Sequence, residues 1–135
     1  MTWKPVVLVV ARTPNVVASL AEWVTEAGVR PIVVDSYPAA RRHIENGFPA
    51  AVVSEVRLGE YNGLQLTLHA RERGIPFILV GAPDPILQRE AEDLGATYVG
   101  GKLDPQRLLT LIASATAEAM AMASVLRRRY VRPSA

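Results

Sequence analysis

The sequence alternates between short apolar runs and longer segments with helical spacing, and this alternation constrains the fold more than any other feature. Five runs have the length of a β-strand, namely residues 6–11, 30–34, 50–55, 76–81 and 96–101. Most are continuously apolar and rich in valine and isoleucine, which is typical of parallel strands covered by helices on both faces. The pattern therefore predicts a parallel sheet.

The segments between these runs have the apolar spacing of helices, and each of them is followed by a glycine, a common helix stop. Three of them are residues 38–46, 64–73 and 85–94. A strand–helix unit repeated five times indicates an α/β protein with a doubly wound five-stranded parallel sheet, because right-handed crossovers place helices on both faces.

Composition narrows the class of function. The chain has 135 residues, of which 21% are charged, and this composition indicates one globular domain. It has no cysteine, which excludes disulfides and thiolate chemistry. Its two histidines are far apart in the sequence, which argues against a histidine metal site. The apolar run 6–11 is too short to span a membrane, and no signal-peptide pattern follows it. We expect a cytoplasmic protein with no membrane contact. A net charge of +2 does not by itself indicate nucleic-acid binding, although positive charge is concentrated in residues 126–132.

Functional residues of doubly wound sheets lie at the carboxyl ends of the strands. That rule selects Ala11 and Arg12 after the first run, Glu55 at the end of the third, Gly81 after the fourth and Lys102 after the fifth. We expect these residues to converge on one pocket. One carboxylate and two cations there are consistent either with a structural ion pair or with a regulated site.

The spacing of these residues resembles that of the receiver domains of two-component response regulators, over roughly residues 4–117. The interval from Ala11 to Gly28, the eight residues from Glu55 to Gly63, and a Gly-Ala pair followed by Lys102 all match the family's pattern. The resemblance implies a (βα)5 flavodoxin-like receiver fold with strand order 2-1-3-4-5.

The resemblance also shows what this chain has lost. Receivers accept a phosphoryl group on an aspartate, with Mg²⁺ held by an acidic pair that neutralises the reacting anions. At the matching positions the acidic pair is Ala11 and Arg12, the acceptor is Glu55, and the hydroxyl residue is Gly81; only Lys102 is retained. An arginine at a metal-ligand position repels the cation and offers it no acceptor atom.

The family's aromatic switch residue, three positions before the lysine, is Val99 in this chain. Its neighbour Tyr98 is predicted to point to the other face of the strand. Without the hydroxyl and the aromatic residue, the family's route from the site to the fourth helix and fifth strand is interrupted.

Two hypotheses account for Glu55. It either stands in permanently for a phosphorylated or metal-loaded aspartate, with Arg12 and Lys102 as cationic partners, or it is the remnant of a decayed site. Both predict a non-enzymatic signalling module that needs no cofactor or metal and acts through a protein partner or a homodimer. The alternatives are an active phosphotransfer receiver that uses Glu55, and a sensor of an anion or small ligand at the remodelled pocket.

The last predicted helix begins after Asp104, with Pro105 in its first turn, and continues to about Arg129. This is longer than a receiver needs, so we divide the chain into a receiver-like domain, residues 1–117, and a helical extension with a basic end, residues 118–135. A stripe at coiled-coil spacing predicts an interaction surface for a homodimer, a partner helix or a linker to an output domain. Its outer members are Ala115, Ala119, Met122 and Leu126.

Overall fold

The computed structural model describes residues 4–130 and contains a five-stranded parallel sheet with helices on both faces. The sheet strands are β1 (Val6–Val10), β2 (Arg30–Val34), β3 (Ala51–Glu55), β6 (Phe77–Gly81) and β7 (Thr97–Gly100). They lie in the order β2-β1-β3-β6-β7, so the five predicted strands follow the order 2-1-3-4-5. The predicted fold class is confirmed.

Five helices connect and follow the strands, and their ends agree with the glycine and proline signals in the sequence. They are α1 (Pro14–Glu26), α2 (Tyr37–Gly47), α3 (Gly63–Glu72), α4 (Pro85–Asp93) and α5 (Pro105–Tyr130). Side chains of Ser36, Asn62 and Asp84 accept hydrogen bonds from the first turns of α2, α3 and α4. These caps satisfy backbone donors that otherwise lack a partner at helix starts.

The sheet separates two apolar layers, because successive side chains of a strand point to opposite faces. Leu8 and Val10 of β1 pack with residues of α2, α3 and α4, whereas Val7 and Val9 pack with residues of α1 and α5. Tyr98 and Val99 of β7 divide in the same way, which confirms that Tyr98 points away from Val99.

A short hairpin between β3 and α3 was not predicted. Strands β4 (Arg57–Leu58) and β5 (Tyr61–Asn62) pair antiparallel around a two-residue turn. Gly59, the first central residue of this turn, has a φ of 70°, and Glu60, the second, does not have a positive φ. This pattern is typical of a type II′ turn, which favours glycine at the first central position. The hairpin is fixed by stacking of Tyr61 on Tyr37 of α2, with ring centroids 4.5 Å apart.

Helix α5 has an inner half and an extension. Leu108 and Ile112 are buried in the core, and among residues 105–129 of α5 Thr116 is the last fully buried one. The inner side of the extension, from residue 118 onward, lies beside the beginnings of β1 and β3. There it forms an apolar basal groove of about 280 Å³, lined by Lys4, Pro5, Val6, Phe48, Ala50, Ala119, Met122, Ala123 and Leu126.

The predicted domain boundary at residue 117 falls inside the continuous helix α5. The predicted basic end extends past residue 130, outside the described residues. Among residues 4–130, α5 is the one helix long and apolar enough to cross a membrane by length and composition, a test that core helices of soluble proteins also pass. Packing of Leu108 and Ile112 in the core accounts for part of this apolar character.

Candidate functional site

The side chain of Glu55 joins the end of β3 to the beginning of α1. Its Oε1 accepts hydrogen bonds from the backbone N–H groups of Arg12 at 2.6 Å and Thr13 at 2.9 Å, and its Oε2 accepts one from the Thr13 hydroxyl at 2.8 Å. Carboxylates are favoured at such positions because the unpaired N–H groups at the start of a helix carry partial positive charge. We call these three hydrogen bonds the Glu55 latch.

Thr13 is the functional residue that the sequence analysis missed. It is the N-cap of α1, and its side chain makes no capping hydrogen bond to its own helix. Its hydroxyl donates to Glu55. Pro14 follows at the first helical position and supplies no N–H group. The Thr-Pro pair that follows the first apolar run was the available signal, although it indicates a helix cap and not a contact with β3.

The side chain of Arg12 points away from the latch. Its Nη1 lies 2.7 Å from the position that a Cβ atom on Gly59 would occupy, so the guanidinium rests on the turn of the hairpin. Among residues 4–130, no ion pair within 4.0 Å joins Arg12 to Glu55. The cationic partner that the sequence suggested for Glu55 is therefore replaced, in this arrangement, by two backbone amides and a hydroxyl.

The other predicted pocket residues lie apart from this latch. Ala11 is fully buried and its N–H group donates to the carbonyl oxygen of Val34. Lys102 is exposed, and the cleft beside Glu55 does not include it. Gly81 does line that cleft, so the structure brings Gly81 and Glu55 together but leaves Lys102 outside.

The cleft beside Glu55 has a volume of about 340 Å³. We call it the apical cleft; its lining residues come from the ends of β3, β6 and β7 and the start of α4, and are Glu55, Val56, Arg57, Val80, Gly81, Ala82, Pro83, Asp84, Leu87 and Tyr98. It contains two carboxylates, one guanidinium and a phenol, so it does not present a concentrated positive charge.

The space above Gly81 is partly filled by its neighbours. A Cβ atom on Gly81 would lie 3.0 Å from Val56 Cγ2 and 3.2 Å from the Tyr98 hydroxyl oxygen. Tyr98 is 3% exposed, and its hydroxyl donates to the carbonyl oxygen of Ala82 at 2.5 Å. Burial raises the pKa of Tyr98, because the phenolate loses hydration there, and the charge of Asp84 adds to this effect. Tyr98 thus occupies room next to the position of the family's hydroxyl side chain.

Gly63 is required where it stands by close packing and not by its backbone angles. A Cβ atom there would overlap Leu79 Cδ2 and lie 3.0 Å from the backbone oxygen of Glu55. The Gly63 N–H group donates to the carbonyl oxygen of Val56 at 2.7 Å. The glycine eight residues after Glu55 therefore lets α3 begin directly against the end of β3.

The residues at this edge do not fit the magnesium ion that the family uses. Two metal-ligand positions are Ala11 and Arg12, and both oxygens of Glu55 already accept hydrogen bonds. Within residues 4–130, no group of three or more histidine, cysteine, aspartate or glutamate side chains is arranged to hold a metal ion. Oxygen ligands of several residues are what Mg²⁺ prefers in proteins.

Comparison with solved structures identifies the architecture. A signal receiver domain from Vibrio parahaemolyticus superposes with a TM-score of 0.79 at 17% identity, covering 91% of this chain and 98% of that one. The receiver domain of TorR, the response regulator of the TMAO respiratory system, superposes with a TM-score of 0.75 at 26% identity, covering 84% and 98%. The chain has the fold of a response-regulator receiver domain.

A further solved structure covers more of this chain. A trimeric coiled-coil segment of yeast Spc42 fused to another protein matches with a TM-score of 0.74 at 18% identity and covers 97% of this chain and 91% of that one. No family model and no curated protein matches the sequence. The similarity to receivers is therefore carried by the structure, together with the spacing of Glu55, Gly63 and Lys102.

Proposed function

We propose that this receiver domain is a non-catalytic signalling module that works without aspartyl phosphorylation and acts through protein interaction. The observation that carries the proposal is the Glu55 latch. At the position where a receiver holds its phosphoacceptor, the carboxylate accepts three hydrogen bonds from the β1–α1 loop. The latch supports a constitutive state because it requires no kinase and no metal.

Two features weigh against phosphoryl transfer to Glu55. An anionic carboxylate attacks an anionic phosphoryl group only when nearby charge is neutralised, which Mg²⁺ normally provides. Ala11 and Arg12 offer the ion no oxygen ligand from a side chain. In addition, the three hydrogen bonds from the β1–α1 loop stabilise the negative charge of the carboxylate and so lower its nucleophilicity.

The extension of α5 supports interaction as the output. Apolar side chains on it are exposed, Met122 by 58% and Val125 by 40%, and they adjoin the apolar basal groove, which supports an interaction surface there. We include self-association and a cytoplasmic location in the proposal.

A sensor of small anions at the apical cleft is less well supported. The two cations proposed for that role, Arg12 and Lys102, do not line the cleft, whereas the carboxylates of Glu55 and Asp84 do. Their charges oppose an anion, and Arg57 alone balances only one of them.

Intact-mass measurement tests the proposal directly. The purified chain is incubated with acetyl phosphate and Mg²⁺, and in parallel without Mg²⁺, beside a receiver domain that carries the complete acidic pair and acceptor aspartate. We expect a phosphoryl adduct on the control receiver and none on this chain.

The matched variant is Glu55→Gln, which removes the candidate nucleophile while keeping its size. A Mg²⁺-dependent adduct on the natural chain that disappears in Glu55→Gln would show that Glu55 is a working acceptor, and the proposal would then be wrong.

A further inference from the structure

The α5 extension carries four exposed residues in line, and this line shares Met122 with the stripe that faces the basal groove. Glu118, Met122, Val125 and Arg129 follow one another at intervals of four, three and four residues, which places them on one side of a helix. Their order is acid, apolar, apolar, base. We call them the C-terminal stripe.

The C-terminal stripe is complementary to its own reversed copy. Its four residues are spaced symmetrically about the point midway between Ala123 and Ser124. A second copy running in the opposite direction places Glu118 opposite Arg129 and Met122 opposite Val125, and a twofold axis repeats each contact. A parallel copy would instead set each charged residue against its own kind.

The charges of the stripe have no competing partner nearby in the described chain. Between Arg107 and Arg127, Glu118 is the only charged residue of α5. Glu118 and Arg129 are eleven residues apart, about 16 Å along the helix, which is too far for an ion pair within one chain. Among residues 4–130, neither of them makes an ion pair within 4.0 Å.

A partner helix on the stripe would also cover the basal groove. Met122 belongs to both surfaces, and Phe48 on the opposite wall of the groove is 68% exposed. Phe48 is also the one non-glycine residue of the described chain with a positive φ, 47°, at the end of α2, and the guanidinium carbon of Arg73 lies 5.4 Å from its ring centroid. Two overlapping extensions would bury on the order of 1,000 Å², the lower range of specific interfaces.

We propose that the chain forms a homodimer in which the C-terminal stripes of two α5 helices pair antiparallel, with Glu118 of each protomer facing Arg129 of its partner. This inference rests on the interaction role proposed above and adds the partner, a second copy, and its direction. Small interfaces of this kind are typical of weak, transient complexes, so we expect a dissociation constant of roughly micromolar size.

Crosslinking tests the direction of pairing, because a chain without cysteine allows single cysteines to be placed without background. Glu118→Cys and Arg129→Cys are prepared separately, then oxidised alone and as an equimolar mixture. Antiparallel pairing predicts disulfides only in the mixture. Identical positions would lie about 16 Å apart along the helices, beyond the roughly 7 Å that a disulfide spans.

Charge reversal supplies an independent readout by analytical ultracentrifugation. Glu118→Arg turns both attractive pairs into repulsive ones, so the dimer dissociation constant should rise roughly tenfold. Glu118→Arg combined with Arg129→Glu should restore it. Parallel pairing predicts little change in either variant, because like charges then replace like charges.

Two outcomes would overturn the inference, and they can be told apart. A dimer in which each cysteine variant crosslinks alone would establish parallel pairing and leave self-association intact. A chain that stays monomeric at a hundredfold excess over the expected dissociation constant would exclude the dimer itself. Neither outcome affects the phosphoryl-mass experiment, which tests the rest of the proposed function separately.

Discussion

The Glu55 latch makes a quantitative prediction about stability. Hydrogen bonds to a charged group contribute about 1.5–3 kcal/mol when shielded, and the three bonds of the latch are partly exposed, so about 1 kcal/mol each is the appropriate scale. Glu55→Ala should therefore lower the free energy of unfolding by about 3 kcal/mol. Since a domain of this length unfolds with an entropy near 2.1 cal/mol/K per residue, Tm should fall by roughly 10 °C.

Conservative variants separate the charge of Glu55 from its shape. Glu55→Gln keeps an oxygen that can accept hydrogen bonds from both backbone amides, but it loses the negative charge beside the start of α1. This loss should lower the free energy of unfolding by about 1 kcal/mol and Tm by roughly 3–4 °C. Thr13→Val removes the hydroxyl that donates to Oε2 and should cost a similar amount. Because Thr13 does not cap its own helix, the same change in a Glu55→Ala background should cost almost nothing.

The assay is thermal and urea unfolding of the four proteins of this double-mutant cycle, with Glu60→Gln as the control. Glu60 is an exposed acid in the hairpin turn with no side-chain hydrogen bond in the described chain, so its variant should match the natural protein within about 0.5 kcal/mol. The reasoning fails if Glu55→Ala lowers Tm by less than about 3 °C, or if Thr13→Val costs the same in both backgrounds.

Two further predictions concern the packing around the site. Gly63→Ala should destabilise the protein by about 3 kcal/mol, because the added Cβ would overlap Leu79. Gly47→Ala meets only ordinary contacts near the end of α2 and should be neutral or stabilising by up to about 1 kcal/mol; equal effects of the two variants in urea unfolding would contradict the prediction. The pKa of Tyr98 is raised in the folded state, so as pH rises the unfolded chain loses the phenol proton first, and the free energy of unfolding should fall above about pH 10. Urea unfolding between pH 8 and 11 should show a smaller fall in Tyr98→Phe. Identical pH dependence in the two proteins would show that Tyr98 does not cause the loss of stability.

Much of the architecture followed from local patterns. The apolar runs, the glycine stops and prolines such as Pro105 place the ends of the predicted elements within about one residue of those observed. These signals act within a few residues, since strand and helix periodicity and helix caps are properties of neighbouring side chains. The sequence also selected Glu55 and Gly81, because the carboxyl ends of parallel strands meet at one edge of the sheet.

The hairpin between β3 and α3 shows why a short element escaped prediction. Its strands have two residues each, too few for an alternating pattern, and only Gly59 at the first turn position indicated it. The basal groove was not predicted for a different reason. It depends on how far α5 lies from the beginnings of β1 and β3, and no local sequence pattern encodes the distance between these elements.

The sequence by itself determined that a lone carboxylate would stand at the end of the third strand of a receiver-like sheet, without the acidic pair that holds a metal. Only the tertiary structure decided what that carboxylate does. Its donors are backbone amides and a hydroxyl located 42 and 43 residues earlier in the chain, while the nearby arginine side chain turns to the hairpin. Every residue but proline has a backbone amide, so such a contact leaves no mark in the residue pattern and exists only once β1 and β3 are side by side.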